Sequence, residues 1–121
     1  ARQMPGAVFL GRDQADLLDP AGCAAAIAQA EADVVINAAA YTAVDRAETD
    51  VAAATMINAT TPGAMAVAAA ARGLPFLQIS TDYVFDGSGA AAWQPGDATS
   101  PLGVYGRSKL GSFAGGGGIL R

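Results

Sequence analysis

The chain has no histidine and one cysteine, Cys23, among its 121 residues. Histidine is the commonest general base at neutral pH and the commonest transition-metal ligand. Any catalysis must therefore run on tyrosine, lysine, serine, threonine or carboxylates. A lone cysteine excludes an internal disulfide and offers none of the spacings that mark a zinc site. Its expected place is in helix packing, as a small apolar side chain. Basic residues are also scarce: seven Lys and Arg stand against eleven Asp and Glu, a net charge of -4. Nucleic-acid binding calls for clustered Lys and Arg, so no nucleic-acid partner is expected. Although 52% of the residues are apolar, no uninterrupted apolar run approaches the ~18 residues that mark a spanning helix, and no membrane partner is expected. No basic segment followed by an apolar stretch opens the chain, which agrees with a cytoplasmic location. A chain of this length fits one domain, or part of one, with a modest core.

What the chain does have is short apolar runs alternating with alanine-rich stretches, the pattern of an α/β sheet protein. Ala7-Val8-Phe9-Leu10 is a candidate strand, with Gly11 to Gln14 as the loop leaving it. Asp19 is placed to cap a helix over Ala21 to Ala30, with Pro20 at its first position. The β-branched run Asp33 to Asn37 predicts a buried parallel strand. At its end stand Ala38, Ala39 and Ala40, small enough for a ligand to lie against the backbone, although close helix packing accounts for three alanines equally well. The polar loop Tyr41 to Asp45 favours the ligand reading, because substrate contacts gather in such loops. Further on, Asp50 is expected to cap a helix from Val51, and Thr61 another that opens on Pro62. Gly63 to Arg72 predicts a helix buried on most sides, ended by Gly73. Pro75 to Ile79 reads as a second buried strand, which places Thr81 at its C-terminal tip. Trp93 is expected to anchor its loop by packing. Ser100 and Pro101 are expected to open the helix that carries Tyr105 and Lys109.

Tyr105 and Lys109 are four residues apart, a separation that stacks two side chains on one helical face. Ligands of open α/β sheets bind at the C-terminal tips of strands, so the Thr81 hydroxyl and the Tyr/Lys pair can converge on one small polar group. That arrangement suits carbonyl reduction. Hydride arriving at a ketone carbon leaves negative charge on oxygen, which calls for an acid and an orienting hydrogen-bond donor. Tyr105 is the candidate acid and Thr81 the candidate donor. An ordinary phenol ionises near pH ~10, and a cation one turn away favours the ionised form. Lys109 supplies that cation.

Tyr-x-x-x-Lys preceded by a strand-end Ser or Thr is the signature of the short-chain dehydrogenase/reductase superfamily. Two further blocks narrow it: Ser80-Thr81-Asp82-Tyr83-Val84-Phe85-Asp86-Gly87, and the run from Asn37 through Ala38-Ala39-Ala40-Tyr41-Thr42-Ala43-Val44-Asp45-Arg46-Ala47 to Glu48. From roughly Leu10 to Lys109 the chain resembles the dTDP-4-dehydrorhamnose reductase family. The resemblance implies a Rossmann-like, doubly wound parallel sheet. It also implies that the sheet is incomplete here, since the first strand with its glycine-rich turn and the later strands with the substrate portion are missing. Residues 1–121 are accordingly expected to be one partial NAD(P)-binding domain, with no second domain. The implied reaction is reduction of the 4-keto group of dTDP-4-dehydro-L-rhamnose to dTDP-L-rhamnose with NADPH or NADH.

By the same resemblance, Thr81, Tyr105 and Lys109 are the catalytic residues. Asp16 and Leu17 are candidate adenine contacts, Arg12 a candidate for a ribose 2'-phosphate, and Ala38, Ala39 and Ala40 line the dinucleotide. Tyr105 and Lys109 meet the nicotinamide ribose, and Thr42, Val44, Thr81 and Asp82 meet the sugar. Asn58 falls where superfamily members keep a structural or relay asparagine. The implied partner is a dTDP-linked 4-keto sugar, and a homodimer is compatible. Family members can use magnesium, but no motif locates a site. Two other readings compete. A sugar-nucleotide dehydratase or epimerase is disfavoured by Tyr83, because dehydratases follow the tip Thr-Asp with glutamate. A non-catalytic subunit like the regulatory subunit of methionine adenosyltransferase shares the Asp-Tyr-Val-Phe-Asp-Gly block but fits the Thr42 to Glu48 run less well. Near the end, Gly115 to Gly118 cannot support a helix, and Ile119-Leu120-Arg121 resembles the start of the family's next strand.

Overall fold

The computed structural model describes residues 4–111 and the strand backbone of 118–120. Three strands, β1 (Val35–Asn37), β2 (Phe76–Ile79) and β3 (Gly118–Leu120), form one parallel sheet in that order. Register sets Val35 beside Phe76 and Asn37 beside Gln78, then Leu77 beside Gly118 and Ile79 beside Leu120. Parallel strands need long crossovers, and the helices fill them. The tips of β1 and β2, at Asn37 and Ile79, therefore lie side by side at one end of the sheet. This is the expected α/β arrangement, and the closing strand falls where the Ile119-Leu120 pair predicts it. The glycine break expected before it lies outside the described residues.

Helix α1 (Pro20–Gln29) starts as its sequence requires: Asp19 Oδ1 accepts from the Gly22 amide at 3.0 Å, and Pro20 opens the first turn. Its last carbonyls, on Ile27 and Ala30, accept from the Arg72 guanidinium. Ile27 packs with Ala66, Ala69 and Phe76 into the first of two core clusters. Cys23, on the buried side of α1, donates its thiol to the Asp16 carbonyl, and burial suppresses its ionisation, in keeping with a packing role.

After the short α2 (Val44–Ala47), one long helix runs from Val51 to Ala71. It comprises α3 (Val51–Thr55), a π turn (Met56–Thr60) and α4 (Thr61–Ala71). Its length and mean hydropathy of 1.2 would suit a bilayer span. Its alanines are instead used inside the protein, Ala54 against Tyr105 and Ala66 and Ala69 against Ile27 and Phe76. Gly73, at φ +68°, ends it in the left-handed conformation that glycine adopts freely.

Five local expectations change. Asp50 holds the N-cap position of α3 as expected, its carbonyl accepting from the Ala54 amide, but its side chain makes no cap bond and its carboxylate accepts from the Tyr41 hydroxyl at 3.2 Å instead. Thr61 lies inside the continuous helix, and its hydroxyl donates to the Leu17 carbonyl at 2.6 Å. Ala7 to Leu10 form no strand: Val8 is 81% exposed, and an isolated extended run has no ladder to stabilise it. Among the described residues the second apolar run pairs on one side only, leaving Val34 and Ile36 exposed where a buried strand was expected. Ser100 does not open the next helix, since its amide bonds the Val84 carbonyl at 2.9 Å; α5 spans Val104–Gly111.

Candidate active site

The chain leaves β2 through Ser80 and enters a short 3-10 turn, Asp82–Val84, whose cap is Thr81. The Thr81 hydroxyl accepts from the Tyr83 amide at 3.3 Å and donates to Asp82 Oδ1 at 3.2 Å. Helix α5 lies directly on this turn. A Cβ on Gly106 would come within 2.1 Å of the Tyr83 carbonyl oxygen, so only glycine permits the approach. The rings of Tyr83 and Tyr105 meet edge to face, with centroids 5.4 Å apart.

One turn along α5, Lys109 is 2% exposed and reaches the strand tip, its Nζ donating to the Ile79 carbonyl at 2.6 Å. Burial lowers its pKa from the ordinary lysine value. Thr81, Asp82, Tyr105 and Lys109 thus gather around the end of β2. Tyr105 is itself buried, in a second core cluster with Ala47, Ala54 and Val104.

The neighbouring tip, after β1, is tied to the same helix through Asn58. This side chain projects from the π turn, where the wider backbone loop sits inside an otherwise α-helical run. Its Oδ1 accepts from the Tyr41 amide at 2.8 Å, and its Nδ2 donates to the Tyr41 carbonyl at 3.0 Å and to Ser108 Oγ at 3.0 Å. Ser108 in turn donates to the Tyr105 carbonyl at 2.8 Å. The two strand tips are joined by a buried amide pair, Asn37 Nδ2 donating to Gln78 Oε1 at 2.8 Å, while Asn37 Oδ1 accepts from the Ala39 amide.

Ala38 and Ala39 are exposed beside that pair and Ala40 is half-buried. Thr42 is exposed in the following loop; Val44 packs against the Tyr105 cluster. Asp16 and Leu17 belong to a different neighbourhood, at the foot of α1 and α4. Asp16 accepts from the Leu18 amide at 2.9 Å and from Arg12 Nε at 3.2 Å. Those contacts, the Leu18 amide first, hold its carboxyl below the usual range. Leu17 offers its carbonyl to Thr61.

Sequence reasoning missed Ser108, Gln78 and Glu48. Gln78 is a polar residue inside an apolar strand, a signal that was available; Ser108, flanked by Arg107 and Lys109, carries none. Trp93 does pack as expected, its ring parallel to Phe85 at 4.8 Å. Among the described residues no three His, Cys, Asp or Glu side chains form a metal-binding group, so the weak magnesium expectation finds no donor set.

Comparison with known proteins agrees with this geometry over nearly the whole chain, since residues 2–112 match the RmlD substrate binding domain. The chain belongs to that family. Among curated relatives, the dTDP-4-dehydrorhamnose reductase of Burkholderia thailandensis is 48% identical over 103 residues, covering 85% of this chain and 35% of its own length. The RmlD-family chain therefore spans about a third of the relative it matches. Among solved structures, a dTDP-4-dehydrorhamnose reductase from Clostridium acetobutylicum superposes with a TM-score of 0.85 at 34% identity, over 92% of this chain and 41% of that one. The enzyme of the same name from Bacillus anthracis, in complex with NADP, gives 0.80 at 30% identity over 85% and 37%. The family's Rossmann-like fold is the frame in which the present sheet and helices sit.

Proposed function

We propose that this chain carries the reaction centre of an NAD(P)H-dependent reductase acting on a dTDP-linked 4-keto sugar, converting dTDP-4-dehydro-L-rhamnose to dTDP-L-rhamnose. The observation that carries the reading is the Lys109 ammonium on the Ile79 carbonyl, two residues before Thr81, with Tyr105 one turn back on the same helix. The relatives' shared name and the NADP complex of the Bacillus anthracis enzyme support the substrate and cofactor class. The residues present fit a nicotinamide dinucleotide: exposed small side chains at Ala38 and Ala39 leave room along the tip of β1, and the tip of β2 carries donors suited to a ribose and a carbonyl. In this reading Asp16 and Leu17 lie toward the adenine end, and Thr42, Val44 and Asp82 toward the sugar. A cytoplasmic location goes with it.

When bound, the nicotinamide supplies a hydride to the sugar's keto carbon. As that bond forms, the carbonyl π pair moves onto oxygen, and the Tyr105 hydroxyl gives its proton there. Thr81 turns its hydroxyl from Asp82 to the same oxygen and stabilises the developing charge. Lys109, held at the strand tip, favours the phenolate left behind until it is reprotonated. Desolvation makes its charge act at close range more strongly than it would in water.

The test is calorimetric titration of NADPH and NADH into this chain and into a form extended to the length of its relatives. Turnover of the dTDP-linked 4-keto sugar is then followed by nicotinamide absorbance. Cofactor binding by the extended form and turnover that falls at least ~100-fold in Tyr105→Phe are expected. Absence of cofactor binding in both forms defeats the reductase reading, and near-normal turnover in the variant removes Tyr105 from its role.

A further inference from the structure

Helix α5 has no cap of its own. Gly103 occupies the capping position, its carbonyl accepting from the Arg107 amide at 3.1 Å, but glycine has no side chain to offer the first amides. The acceptor comes from 56 positions earlier: Glu48 Oε1 takes the Val104 amide at 2.7 Å. Gly103 makes room for it, since a Cβ there would lie 2.8 Å from the same oxygen. A carboxylate at this end of a helix meets both an unpaired N–H and the positive end of the helix dipole. Glu48 itself follows α2, whose Val44 and Ala47 pack against Val104 and Tyr105. The helix is consequently pinned at both ends, by Glu48 at its first amide and by Lys109 on the tip of β2.

We propose that Glu48 is a positioning residue for the reduction, setting the N-terminal turn of α5 and with it Tyr105, the residue directly after the amide it holds. The proposal rests on the reductase reading. Because the Lys109 anchor is independent, loss of Glu48 displaces Tyr105 while leaving Lys109 and the Ala38 to Ala40 tip, which carry most of the cofactor contact in this reading, in place. Displacement of a reacting group by about 1 Å is worth up to ~100-fold in rate, so kcat falls and the KM for NADPH does not.

The experiment compares wild type, Glu48→Ala, Glu48→Gln and Glu48→Met in the extended, cofactor-binding form. Exchange of the Val104 amide is read by NMR alongside kcat and KM. Expected in Glu48→Ala are a kcat lowered ~10- to 100-fold, a KM for NADPH within about twofold of wild type and Val104 exchange faster by about tenfold. Glu48→Gln keeps both the bulk and an acceptor oxygen and restores kcat to within about threefold, whereas Glu48→Met, of similar bulk with no oxygen to offer the Val104 amide, does not. Unchanged kcat in Glu48→Ala overturns the proposal, as does a loss that Glu48→Gln fails to rescue, or one matched by an equal rise in KM. If the wild-type extended form binds cofactor but turns over no dTDP-linked 4-keto sugar, the reductase reading fails and the catalytic part of the proposal with it. The anchor is then judged by exchange alone, and equal Val104 protection in wild type and Glu48→Ala overturns that as well.

Discussion

A lysine buried as deeply as Lys109 is rare unless its ammonium has partners. Here the Ile79 carbonyl accepts from it, yet burial still disfavours the charged form and moves its pKa below the ordinary 10.5. In the window between the folded value and 10.5, the unfolded chain binds more protons than the folded one, so this residue makes stability rise with pH there. Below the window both states are protonated and its penalty is constant. The stability difference between wild type and Lys109→Met, measured by urea denaturation at stepped pH, is therefore expected to be flat below the folded value and to shift in favour of wild type from there up to 10.5. A difference that moves the other way contradicts the assignment. The Tyr105/Lys109 spacing was legible in the sequence because four residues on a helix make one face. Glu48 was not, because its partner is a backbone amide brought near only by folding.

At the scale of elements, α5 docks through its glycine. Replacing glycine by alanine within a helix ordinarily stabilises by about 1 kcal/mol. At position 106 the sign reverses, since the new methyl would sit 2.1 Å from the Tyr83 carbonyl oxygen and α5 would have to lift off the 3-10 turn. Gly106→Ala is expected to lower stability by ~1–3 kcal/mol, the range for overpacked sites, as read from the urea midpoint. A stabilised variant would show that α5 is free of the turn. The strands and the main helices were legible from apolar runs and helix-formers, and the Asp19-Pro20 start was read correctly because the cap and its amide are neighbours in sequence. Asp50, Thr61 and Ser100 carry the same local signal, yet each spends its side chain or amide on a distant partner: the Tyr41 hydroxyl, the Leu17 carbonyl and the Val84 carbonyl. Capping preference is worth about 1 kcal/mol, which one tertiary hydrogen bond can match.

For the molecule as a whole, the sheet is where sequence and structure part. The run Asp33 to Asn37 was read as a buried parallel strand from its β-branched residues, and as a strand it is parallel. Among the described residues, however, the outer side of β1 has no strand partner, and Ile36 remains 41% exposed. An unpaired edge flanked by apolar side chains is a template for intermolecular pairing. This chain alone is expected to scatter light increasingly with concentration, and Ile36→Lys to suppress the effect; equal scattering from both would place the association elsewhere. The register has a kinetic consequence too. Asn37 meets Gln78 across a separation of 41 residues, and the next pairing, Leu77 with Gly118, closes a loop of the same length. Among the described residues no hairpin offers a local start, so helices that form within about a microsecond wait on one long closure for the first strand pair and on a second for the complete sheet. During that wait the apolar strands are uncovered, and the time course of folding rather than the depth of the native well sets how much chain is lost to aggregation.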